Sequence, residues 1–264
     1  DLRTGRFNMK ILGYSERGIV NSLFYEIKYN EKPKKLLREF IGMIYFPPNN
    51  EKINLPDEVK DFDAEILIEQ SFSEFGDPDI VLIICDTSSG ARSKQVIFGE
   101  AKVNNWKNKF TLKREYEKFQ EGKNKIGKDS DPAREFSSNL FTQIYHKWML
   151  IETLRKEDGI VRLEKGIELP LRSTPSKHKI SKIGTNNVVR KAIEELEDCN
   201  FSFFVSIVPE SLPEIKKFLE RTDWNSEKIK NWGFLSWKDV DIFCKENNLA
   251  ETLTVFDFNK GLIY

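Results

Sequence analysis

Two short apolar runs, Ile80-Val81-Leu82-Ile83-Ile84-Cys85 and Val96-Ile97-Phe98, constrain the fold of this chain most. The first lies between Pro78 and the turn residues Asp86-Thr87-Ser88-Ser89-Gly90. An apolar run of that length and composition reads as a central strand buried on both faces of a sheet. The Ser-Gly-rich turn predicts that the two strands form an antiparallel hairpin. Charge is built onto one end of each run. Gly76-Asp77-Pro78-Asp79 leads into the first, and Gly99-Glu100-Ala101-Lys102 closes the second. Side chains two residues apart on a strand share a face, so Glu100 and Lys102 are expected to project together, beside Asp79 where the strands pair. A buried charge is costly unless it is paired or bound to a metal. Two carboxylates and a lysine on one face suit a divalent cation and phosphodiester hydrolysis.

Around this hairpin the pattern alternates between helix and strand. Residues 15–29 predict a helix, because Ile19, Val20, Leu23, Phe24 and Ile27 recur at helical spacing. Glu16 falls near the middle of that apolar arc, which is unusual. The alternative is an ordinary first-turn acid favoured by the helix dipole. Residues 34–42 predict a second helix, 64–72 a strand, 80–85 and 95–103 the hairpin, and 133–155 a long amphipathic helix. Residues 163–171 read as a short strand or hairpin arm, 187–196 as a helix, 200–208 as a strand and 212–219 as a helix. An aromatic segment at 232–237, a helix at 239–247 and an edge strand at 253–258 complete the reading. The predicted class is α/β, with a central mixed sheet flanked by helices. The elements do not alternate strictly, which argues against a Rossmann fold, and no GxGxxG, Walker A or GxSxG motif is present.

Composition narrows the function classes. With 264 residues the chain is long enough for one large domain. Its net charge is zero, so any nucleic-acid surface must come from local patches. Two such patches exist. Between Lys102 and Lys128 nine basic residues face three acidic ones, with Trp106, Phe110, Tyr116 and Phe119 interspersed. Residues 170–193 carry six basic residues and no acid. Lys107, Lys109, Lys113 and Arg114 in the first patch, and Lys177, Lys179 and Lys182 in the second, are candidates for phosphate contacts, and Trp106, Phe110 and Tyr116 for base stacking. A solvated lysine-rich surface is the alternative. The three cysteines have no CxxC spacing, which excludes a zinc motif and points to a reducing compartment. No leader-like apolar segment or membrane-length run occurs, so a soluble cytoplasmic protein is expected. Residues 1–8, ahead of Met9, read as vector-derived.

The Pro78-Asp79 step, the apolar strand, the turn and Glu100-Ala101-Lys102 together resemble the PD-(D/E)xK motif of the restriction-endonuclease-like nuclease superfamily. The resemblance covers roughly residues 10–210 of a single domain, with an α/β elaboration over 211–264. It implies a restriction-endonuclease-like core of helix, three strands, helix and strand. Carried onto this chain, it implies that Asp79 and Glu100 bind Mg²⁺ or Mn²⁺, with the Ala101 carbonyl completing the site. Lys102 would orient or deprotonate water or stabilise developing charge, and Glu16 would supply the additional upstream acid. Gln143, on the helix after the motif, matches a glutamine that related nucleases carry there. Asp77 is a rival for Asp79, and His146 follows Gln143 by about one turn.

The implied activity is that of a metal-dependent DNA endonuclease of restriction, repair or phage-defence type, with RNA as a second substrate class. A homodimer or a larger complex would fit double-strand cutting. Two other readings stay open. One is a catalytically silent nucleic-acid-binding or assembly module of the same fold. The other is an unrelated α/β protein whose basic patches bind a protein partner. For the triad itself the alternative is a buried structural ion pair between Glu100 and Lys102, with Asp79 as a turn residue.

Overall fold

The computed structural model describes residues 10–48, 50–55, 62–87, 93–104, 109–125, 138–167, 182–222 and 229–263, and at 122–125 and 182 the backbone only. Among them the strands β1 (Phe62–Ile68), β2 (Ile80–Asp86), β3 (Ser93–Ala101), β4 (Phe201–Val208) and β5 (Trp232–Ser236) form one sheet in the order β1-β2-β3-β4-β5. The pairs β1/β2 and β2/β3 are antiparallel, whereas β3/β4 and β4/β5 are parallel. The protein is therefore α/β, with an open mixed sheet, and the expected hairpin is β2/β3.

Alternation along the strands divides the core in two. Ile80, Leu82 and Ile84 of β2 join Ile97 and Ala101 of β3 on one face. There they meet α1 (Ser15–Tyr29), α2 (Pro33–Gly42), α9 (Trp237–Glu246) and α10 (Ala250–Phe258). Val81 and Ile83 join Val96 and Phe98 on the other face. That face is covered by α3 (Leu112–Lys125), α4 (Leu140–Leu154), α5 (Gly159–Glu164), α6 (Lys182–Thr185), α7 (Asn187–Glu197) and α8 (Leu212–Arg221). Covering both faces is why β2 reads as an uninterrupted apolar run rather than an alternating one.

Several expectations hold closely. Helix α1 spans the predicted 15–29, and α2, α7, β4 and α8 fall within two residues of prediction. Others differ, each for a physical reason. Residues 253–258 lie inside helix α10, not an edge strand. Its buried Thr252, Val255 and Phe256 have helical spacing. The N-terminus of α10 is held by a distant group: the Glu26 carboxylate accepts the Glu251 and Thr252 N–H groups at 3.2 and 2.9 Å. Residues 163–164 end helix α5 instead of opening a strand, 165–167 form a turn, and 168–171 lie outside the described residues. Strand β1 stops at Ile68, because Glu69 (φ 50°) and Ser73 (φ 59°) leave extended backbone, and Ser73–Phe75 closes into a 3-10 turn. Helix α4 begins at Leu140, with 133–137 outside the described residues. The lysine-rich stretch after β3 contains helix α3, whose Leu112, Tyr116 and Phe119 pack into the second core.

The segment after β4 is built into the same structure. Strand β5 extends the sheet, and Leu235, Trp237, Val240 and Phe256 share a core with α1. Helix α1 has no local side-chain cap. Asn259 serves instead: its Oδ1 accepts the Ser15 N–H at 2.8 Å, and its Nδ2 donates to the Gly13 carbonyl at 2.9 Å. Among the described residues no helix is long and apolar enough to cross a membrane.

Candidate active site

Ile80 pairs with Gly99 across β2 and β3, so the same register carried one residue further sets Asp79 opposite Glu100. Both carboxylates are buried, at 6% and 1% exposure. Asp79 is delivered by the turn after the 3-10 segment, where Gly76 takes φ 84° and ψ 176°, a conformation open essentially only to glycine. Asp77 is exposed in that turn while Pro78 and Asp79 are buried, so Asp79 is the acid at the strand entrance.

Asp79 Oδ2 accepts the Ala101 N–H at 2.8 Å. Its other oxygen lies 3.7 Å from the Arg17 Nε on α1, and Arg17 also pairs with Glu69 at 3.5 Å. Burial pushes the Asp79 carboxyl up to about 7, and the neighbouring Glu100 charge adds to the push. Lys102 and the Ala101 N–H pull the other way, and Glu16 raises it slightly. Asp79, Glu100, Lys102 and Glu16 therefore share one electrostatic neighbourhood. Glu16 is half-buried in the first turn of α1. The Lys102 backbone is fixed on both sides, donating to the Ile207 carbonyl at 2.8 Å and accepting from Trp237 Nε1 at 2.7 Å.

The ammonium against Glu100 is not that of Lys102. Lys147 of α4 sets its Nζ 2.8 Å from Glu100 Oε1, with the two side chains 0% and 1% exposed. The contact is close but lacks hydrogen-bond alignment, and neither atom makes a hydrogen bond among the described residues. Gly76 borders the same space: a Cβ there would stand 3.1 Å from Lys147 Nζ. Gln143 lies four residues earlier on α4, and its buried Oε1 has no hydrogen-bond partner among the described residues. Residues four apart on a helix are neighbours, so Gln143 and Lys147 share a face.

Sequence reasoning missed Lys147 and Arg17. For Lys147 a signal existed. Leu140, Ile144, Ile151 and Leu154 form a buried stripe, and Lys147 occupies its middle position. A lysine in the apolar stripe is rarely buried without a partner. Nothing in the sequence marked Arg17 beyond its place next to Glu16.

The basic candidates are less gathered. Lys109, Lys113 and Arg114 are exposed, and Lys113 pairs with Glu117 at 3.7 Å on its own helix. Lys182 opens α6, which packs against the 3-10 turn that leads to Asp79, but its side chain lies outside the described residues. Lys107, Lys177 and Lys179 lie outside them altogether. Trp232 and Phe234 are stacked core residues, and Trp237 is buried. Of the first patch's aromatics, Tyr116 and Phe119 pack on Phe141, and Phe110 borders the second core. Trp106 lies outside the described residues. His146 is buried on α4.

Among the described residues no three histidine, cysteine or acidic side chains are grouped closely enough to hold a metal. The donor pair nevertheless fits a hard divalent cation in charge and chemistry. Burial, and then the Glu100 charge, raise Asp79, and both carboxylates offer oxygen ligands of the kind Mg²⁺ and Mn²⁺ take while keeping several waters. No protein-family model, curated protein or solved structure matches this chain.

Proposed function

We propose that this chain is a metal-dependent nuclease of the restriction-endonuclease-like, PD-(D/E)xK type, acting on DNA as an endonuclease. The observation that carries this reading is the pair Asp79 and Glu100, buried opposite each other at the ends of β2 and β3. Such a pair contributes little to stability for its cost, because apolar residues serve as well in a purely structural role. Its persistence in the interior calls for a ligand.

Asp79 and Glu100 would hold Mg²⁺ or Mn²⁺, with the Ala101 carbonyl and Glu16 as further candidates, and the ion would polarise the scissile phosphate and lower the pKa of bound water. The chain's own groups supply the rest. Lys102, anchored through its backbone to Ile207 and Trp237, would face developing negative charge and orient the attacking water. Arg17, half in solvent beside Asp79, is placed to meet a phosphate arriving at the carboxylates. Gln143 presents a buried acceptor from α4.

The deciding experiment is nicking and linearisation of supercoiled plasmid with Mg²⁺, Mn²⁺ or EDTA. Wild type should cut only with metal. Asp79→Ala, Glu100→Ala and Lys102→Ala should each cut at least about 100-fold more slowly while keeping the native circular dichroism spectrum. Cutting at the wild-type rate by all three variants would overturn the assignment.

One observation favours a second reading, a silent binding module of the same fold: Glu100 already has a cation beside it, Lys147. Such a module would bind plasmid with steep salt dependence and release no fragments under any metal.

A further inference from the structure

We propose that Lys147 is a built-in counter-cation, occupying the acid pair when no metal is bound and withdrawing toward Gln143 when a divalent cation enters. The inference rests on the reading of Asp79 and Glu100 as cation ligands, and concerns what regulates that site.

Four observations converge on it. First, a fully buried ammonium lies 2.8 Å from Glu100 and nowhere in contact with solvent. Removing water from both charges is expensive, so each demands a partner, and among the described residues each ion-pairs with the other. Second, the contact is unaligned: among the described residues neither Lys147 Nζ nor Glu100 Oε1 makes a hydrogen bond. Proximity without directed bonds leaves the ammonium able to exchange for another cation. Third, the space beside Nζ is kept by Gly76, where a Cβ would stand 3.1 Å away. Fourth, an acceptor is waiting. The Gln143 Oε1 is buried, unpartnered among the described residues and one turn back on the same helix. A lysine turning about its flexible stem leaves Glu100 for Gln143 without entering water.

An entering metal and the ammonium compete for one carboxylate, so Lys147 lowers the cation affinity of the free protein. Lys102 competes less directly: it is half-buried, its charge acts on Asp79, and among the described residues it makes no ion pair with Glu100.

The test is Mn²⁺ binding without nucleic acid, read by isothermal titration and by the electron paramagnetic resonance signal of free Mn²⁺. Wild type, Lys147→Met and Lys102→Met are compared. Lys147→Met should bind Mn²⁺ at least about tenfold more tightly than wild type, and Lys102→Met should gain less. Lys147→Met should also melt lower than wild type in EDTA and recover with Mn²⁺, because its Glu100 is left without a cation. Should that variant not fold in EDTA, folding on addition of Mn²⁺ supports the proposal and failure to fold with Mn²⁺ overturns it. The double variant Glu100→Gln/Lys147→Met, which buries no charge at this position, should fold in EDTA and show no Mn²⁺-dependent rise in melting temperature.

Equal Mn²⁺ affinity in wild type and Lys147→Met would overturn the role of the lysine while leaving the metal site intact. Absence of Mn²⁺ binding in both would overturn the metal reading itself, and this inference with it.

Discussion

Glu210, at the end of β4, shows how one side chain couples this structure to pH. Its Oε2 accepts the Leu112 N–H at 2.8 Å and so holds the start of α3. Burial pushes its carboxyl from 4.5 up to about 7, opposed by the Leu112 N–H, reinforced by the Glu214 charge and opposed again by Lys109. Between those values the folded chain keeps a proton that the unfolded chain has released. The stability this group contributes is therefore full below 4.5 and lost as pH rises through about 7. Asp79 acts in the same direction between 3.8 and about 7. In EDTA the urea midpoint of wild type should fall from about pH 5 to about pH 7.5, and Glu210→Gln should flatten but not abolish that fall. An unchanged slope in Glu210→Gln would remove Glu210 from the account. Residues of this kind differ in how far sequence exposes them. Asp79 and Glu100 are legible because apolar β-type neighbours make any charge among them conspicuous. Lys147 sits in an equally apolar helical stripe, yet a lysine there also fits a solvated helix face until its partner on β3 is known.

Among the elements, α4 matters most to the candidate site, since it carries both Gln143 and Lys147. Its start is fixed from α3. Glu115 Oε2 accepts the Leu140 N–H and the Asn139 Nδ2 at 3.1 Å each, while Asn139 Oδ1 accepts the Thr142 N–H at 3.2 Å. Replacing Glu115 by Ala leaves buried donors unpaired and should cost about 1–3 kcal/mol in urea unfolding. Because the loss falls at the N-terminus of α4, hydrogen exchange should quicken first at 140–143, and uniform quickening would argue against a local joint. The same distant pairing explains which elements sequence revealed. Helices α1, α2 and α7 are legible from their own apolar spacing. Helix α10 is not, because Thr252, Thr254 and Val255 are strand-forming residues, and what commits them to a helix is the Glu26 carboxylate on α1. Local propensity loses to a cap supplied from 226 residues away.

At the scale of the whole molecule, two apolar cores share one sheet, and β2, β3 and β4 contribute side chains to both. Leu82 and Phe98, at 2% and 0% exposure, sit on opposite faces of adjoining strands. Leu82→Ala and Phe98→Ala should each cost about 2–5 kcal/mol and should shift one common transition. Far-UV circular dichroism and tryptophan fluorescence would then coincide in both variants, since Trp237 reports one core and Trp232 the other. Separated transitions would mean that the two layers unfold independently. The bond from Asn259 to Gly13, spanning 246 residues, has a consequence for how the molecule is made. Translation at about 5–20 residues per second puts roughly 10–50 s between the two partners leaving the ribosome. Through that interval the first helix, with Glu16 and Arg17, has no group to fasten its leading turn. The two acids of the hairpin are thus synthesised well before the arm that brings Glu16 to them can lock, and a growing chain passes through its exposed stage with the cluster still unassembled.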